Sequence, residues 1–167
     1  PLVLDALVGA NRVRGIRPAG ELAEPLEQML VGKNVEVRTH AIRLAGEWKA
    51  SALTDRIGKI LSDVDAPAKL RAAAVESLGQ LRGVDALDTI SKAVGDPAPE
   101  IQQAALRALC EIDLPKAAQQ ASALLRRATD DAQTRLIVTP FLGQKGGAAA
   151  LASALGTAPS SPELATR

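Results

Sequence analysis

Four stretches of this chain follow one helical template at nearly constant spacing: Val37 to Gly46, Leu70 to Gly79, Ile101 to Cys110 and Thr134 to Gly143. Aligned on their second residue, the anchors Arg38, Arg71, Gln102 and Arg135 stand 33, 31 and 33 residues apart. An internal period of this length marks a stacked-repeat architecture, in which no unit can bury its own apolar face and neighbours must cover it. Such stacks usually hold or bind other molecules rather than carry out chemistry, so the period already narrows the function.

Read by column, the copies behave as one folded unit. Three residues after the anchor come Ala41, Ala74, Ala105 and Val138, and seven after it Ala45, Leu78, Leu109 and Leu142, continuing a helical stripe. Eight after it stand Gly46, Gly79, Cys110 and Gly143, then the polar Glu47, Gln80, Glu111 and Gln144. A small residue there suits a helix end or a tight helix crossing. Between the copies lies a second amphipathic segment, Ser51 to Ser62, Asp85 to Val94 and Lys116 to Thr129. Each is followed by an acidic residue, Asp63, Asp96 or Asp130, placed to cap the next helix. No window alternates with the period of a strand.

The phrase apolar-Arg-x-x-Ala-x-x-x-Leu-Gly, preceded by an acidic turn and followed by a second helix, is similar to HEAT repeats. More narrowly it resembles the short bacterial HEAT-like class named after the phycobilin lyases. The resemblance covers roughly residues 34 to 155, with Arg71 to Gly79 the best copy. It implies an all-α, armadillo-like fold, a right-handed α-solenoid of about four to five helix pairs. The expected units are 34–65, 66–98, 99–130 and 131–156. Residues 1–33 read as a divergent or truncated pair, Leu2 to Ala10 and Glu21 to Val31, and 157–167 as a flexible tail or linker.

Composition limits what such a stack can do. Trp48 and Phe141 are the two aromatic residues among 167, so the core must be built from Ala, Leu, Val and Ile in many modest contacts. A formal net charge of +1 lacks the basicity of a dedicated nucleic-acid binder. No apolar run reaches the roughly 18 to 20 residues needed to span a bilayer, which argues against membrane insertion. Cytoplasm and periplasm both remain compatible, and nothing here fixes an oligomeric state.

Candidate chemistry is sparse, and neither a catalytic residue nor a cofactor or metal site is assigned. His40 sits in a column otherwise filled by Ala73, Ala104 and Ile137, which reads as a packed position. Cys110 occupies the glycine column and lacks the Cys-x-x-Cys-His arrangement of haem attachment. The anchors Arg38, Arg71 and Arg135 are expected to pair with Asp63, Asp96 or Asp130 and stitch repeats together, since a guanidinium suits bidentate carboxylate pairing. The alternative is an anion ladder. Lys59, Lys92 and Arg126, with Arg56 and Arg127, recur on the second helices and form a candidate binding surface, because the second helices commonly line the concave face of HEAT-like stacks.

The expected function is a non-enzymatic scaffold or protein–protein interaction module contacting another protein or neighbouring domains, a segment of a larger bacterial multidomain protein. Its Ala- and Arg-rich style resembles HEAT segments that join a dehydrogenase-like propeller to a cytochrome c module. Two alternatives stand beside it: an enzyme or accessory related to the phycobilin lyases, and polyanion binding through the second-helix cations.

Overall fold

The computed structural model describes residues 22–156, which form nine α-helices. They are α1 (Ala23–Val31), α2 (Val35–Glu47), α3 (Thr54–Ser62), α4 (Ala68–Leu81), α5 (Val84–Ala93), α6 (Pro99–Ile112), α7 (Leu114–Leu125), α8 (Asp131–Leu142) and α9 (Gly147–Gly156). A short 3-10 turn, Ser51–Leu53, leads into α3. No strand occurs among the described residues. The expected Leu2 to Ala10 helix and the 157–167 tail lie outside them.

Local chemistry sets the helix ends. The Asn34 side chain accepts from the backbone N–H groups of Glu36 and Val37, at 2.9 and 3.2 Å, and starts α2. Asp113 accepts from Lys116 N at 3.0 Å and Asp130 from Gln133 N at 2.8 Å, capping α7 and α8. Pro99 opens α6, where its missing N–H costs no helical bond. After α2, α4 and α8 the chain turns through a left-handed residue at the same repeat position: Lys49 and Arg82, both at φ 55°, and Gly146 at φ 79°.

The helices form two layers. First helices α2, α4, α6 and α8 stack side by side, and α3, α5, α7 and α9 lie behind them, with α9 packed mainly on α7 and α1 resting on α2. This is an all-α solenoid. Its core runs continuously through the stack: Ala41, Ala74 and Ala105 are fully buried, as are Ala45, Leu78 and Leu109. The small-residue column marks close crossings. A Cβ added at Gly46 would sit 2.8 Å from Ser77 Cα, and one at Gly79 would sit 3.2 Å from Ala108 Cβ. Short side chains thus let successive first helices approach, as a core with almost no aromatic bulk requires.

The fourth first helix follows the columns less closely. Leu142 is 70% exposed, a Cβ at Gly143 would meet nothing within 4 Å, and only Ile137, Pro140 and Phe141 are buried on α8. Three successive first helices are covered by the next one, whereas α8 is covered on its inner side by α6 alone among the first helices.

Candidate interaction surface on the first helices

Arg71 lies at the centre of the inter-repeat bonding. Its side chain is buried, Nε donates to Leu61 O of α3 at 2.9 Å, and the two terminal nitrogens donate to the Asp96 carboxylate, one of them at 3.2 Å. Asp96, in the turn before α6, also accepts from Ala98 N at 3.0 Å. One guanidinium therefore joins the end of α3, the body of α4 and the turn that launches α6. At the next anchor Gln102 keeps half of this pattern, donating from Nε2 to Val94 O at 3.1 Å.

The structure does not bring together the other expected pairs. Arg38 is half-buried and its Nε has no hydrogen-bond partner, while Asp63 is exposed and accepts from Asp65 N within its own turn. The cause is turn register: Asp96 stands three residues before Pro99, the first residue of α6, and the position equivalent to it ahead of α4 is Asp65, not Asp63. Arg135 is exposed, with Nε 3.5 Å from Asp131 O of its own helix, because Asp130 is committed to capping α8.

The second-helix cations are all exposed, and acids are interleaved with them. Asp55 precedes Arg56 and Lys59 on α3, where Lys59 lines a shallow depression together with Asp55 and Asp85. Lys92 pairs with Asp88 at 2.9 Å, and its bond holds the Asp88 carboxyl below the usual range. Arg127 borders a different depression that also contains Asp96 and Gln133. Arg126 and Arg127 follow directly after α7.

A more organised surface crosses the opposite layer. A groove of about 400 Å³ runs over α2, α4 and α6, lined by Arg43, Glu76, Gln80, Arg107 and Glu111 above a floor of Gly79, Ala104 and Ala108. Arg43, Glu76 and Arg107 occupy one column, five residues after each anchor, and their sign alternates from repeat to repeat. Arg43 Nε approaches Glu76 at 3.5 Å, and seven residues earlier on the same two helices Lys69 Nζ meets Glu36 at 2.6 Å. The Lys69 hydrogen bond holds the Glu36 carboxyl below the ordinary range. Lys49 Nζ adds a bond to Gln80 O at 2.5 Å. These bonds tie α2 to α4. Arg107 and Glu111, one turn apart on α6, are exposed and form no ion pair among the described residues.

The remaining reactive side chains are enclosed. Cys110 is buried, and burial with the Glu111 charge beside it pushes the thiol up to about 11, so little thiolate exists near neutral pH. His40 is buried on α2. No group of three or more His, Cys, Asp or Glu able to hold a metal occurs among the described residues. No described helix is long and apolar enough to cross a membrane.

A family model described as HEAT repeats matches residues 54–139, slightly over half of the chain. No curated protein matches the sequence. Among solved structures, the fold is similar to a chain in the complex of CpcE and CpcF of phycocyanin lyase from Nostoc sp. PCC7120. The TM-score is 0.56 at 19% identity, covering 86% of this chain and 68% of that one.

Proposed function

Because this chain belongs to the HEAT-repeat family, we propose that it is a non-enzymatic scaffold, a protein–protein interaction module working within a larger bacterial multidomain polypeptide. The first-helix groove is its partner-binding face. The observation that carries this reading is the state of the charges on that face: Arg43 and Glu76 are engaged with each other, while Arg107 and Glu111 stand exposed without an ion-pair partner among the described residues, beside a floor of small side chains. A partner segment bearing an acid and a base one helical turn apart would meet both charges and cover the alanines between them. Such complementarity sets specificity and encounter rate more than raw affinity. The buried, protonated Cys110 supports a non-catalytic role.

The test exchanges the two charges. Immobilised chain and its Arg107→Glu/Glu111→Arg variant, matched for helicity and melting, are compared for the proteins each retains from a bacterial lysate. A partner held by the former and lost by the latter supports the groove; identical sets defeat it. A second reading, an accessory to a lyase, is favoured by the fold shared with the phycocyanin lyase chain. Transfer of a phycobilin to an acceptor protein that depends on this chain would establish that reading instead.

A further inference from the structure

Two positions one helical turn apart recur on the groove face, five and nine residues after each anchor. They hold Arg43 and Glu47 on α2, Glu76 and Gln80 on α4, and Arg107 and Glu111 on α6. All but Glu47 line the groove. In each helix the two members attract: a cation and a carboxylate on α2 and α6, a carboxylate and an amide donor on α4. Such a pair is complementary to its own reverse. When two identical helices lie antiparallel about a two-fold axis, the first member of each faces the second member of the other. On α6 both members are exposed and form no ion pair among the described residues.

We infer that, the groove being the partner-binding face as proposed, its occupant is a second copy of this chain, each first helix packed antiparallel on the same helix of the other copy. The acid and base one turn apart that the groove calls for are those of α6 itself. Arg107 of each copy meets Glu111 of the other, and Gln80 of each donates to Glu76 of the other. The small side chains of the floor, Gly79, Ala104 and Ala108, leave room for the long side chains of the opposite copy. Alternation of sign along the column sets the register. A slip of one repeat opposes Glu76 to Glu111 and Glu47 to Glu76, and a parallel pairing of α6 opposes Arg107 to Arg107 and Glu111 to Glu111. Like charges so placed act against those arrangements, whereas the in-register antiparallel one is attractive at all three helices.

Sedimentation equilibrium of the full chain over a concentration series should show a monomer–dimer equilibrium. Arg107→Glu sets an acid against Glu111 of the other copy, and Glu111→Arg sets a base against Arg107; each should weaken self-association about tenfold or more. The double variant Arg107→Glu/Glu111→Arg merely reverses the pair and should restore the dimer. An equimolar mixture of the two single variants should form a heterodimer, which also shows that both are folded. A parent chain that stays monomeric, single variants that associate like the parent, or a mixture that does not associate overturns the proposal. The lysate comparison keeps the two readings apart: a different protein lost on charge exchange, with the parent chain monomeric, upholds the groove as a partner-binding face and overturns the second copy as its occupant.

Discussion

Asp96 should matter more to stability than its partner Arg71. Removing the carboxylate in Asp96→Ala leaves a buried guanidinium held by Leu61 O alone, and an uncompensated buried charge of this kind costs about 3–5 kcal/mol. Arg71→Met keeps much of the side-chain volume but leaves the Asp96 carboxylate, whose side chain is 8% exposed, with the Ala98 N–H as its remaining donor; a carboxylate can be neutralised by a proton whereas a guanidinium cannot lose one, so a smaller loss is expected. Urea denaturation of the two variants orders them; negligible loss in both would mean that the ion pair is not what closes this joint. The glycine column gives a second comparison. Gly46→Ala drives a Cβ to 2.8 Å from the backbone of α4 and should cost about 1–3 kcal/mol. Gly79→Ala, at 3.2 Å from a methyl group, should cost less, and Gly143→Ala, in open space, should be neutral or stabilising by up to about 1 kcal/mol. The same substitution thus reads out the gap at three successive crossings.

At the level of the elements, the turns after the first helices store identifiable strain. Lys49 and Arg82 adopt the left-handed conformation that glycine takes at Gly146, at a cost of about 1–2 kcal/mol per side-chain-bearing residue. Arg82→Gly should therefore stabilise the chain by about 0.5–1 kcal/mol in thermal melting, after allowing for the flexibility glycine adds to the unfolded state. Lys49→Gly should gain little, because it also loses the bond from Nζ to Gln80 O. This column was not legible in the sequence, since lysine and arginine do not advertise a left-handed turn. The helices themselves were legible, because a period-3.6 stripe recurring every 31 to 33 residues must fold as one unit repeated. The Arg71–Asp96 pair was readable in type, yet a two-residue difference between turns placed Asp63 out of reach of Arg38. The groove column Arg43, Glu76, Arg107 escaped notice because alignment by similarity treats a reversal of sign as no pattern.

Across the whole molecule, stability in a stack is close to a sum of unit and joint terms, and here the terms are unequal. The central helices α4 and α6 are gripped on both sides, whereas α8 buries few residues and contains Pro140, which cannot donate a helical hydrogen bond. Trp48, 5% exposed at the end of α2, gives this unevenness an optical readout. With a single tryptophan and no tyrosine in the chain, intrinsic fluorescence reports on the surroundings of α2 while circular dichroism averages over all the helices. Loss of ellipticity ahead of the fluorescence change during heating would reveal unfolding that begins at the α8 end, whereas coincident curves would mean that the joints bind the whole stack into one cooperative transition. The near absence of aromatic residues, which obliges the core to rely on alanine and leucine, thus makes the protein a single-site spectroscopic gauge of its own cooperativity.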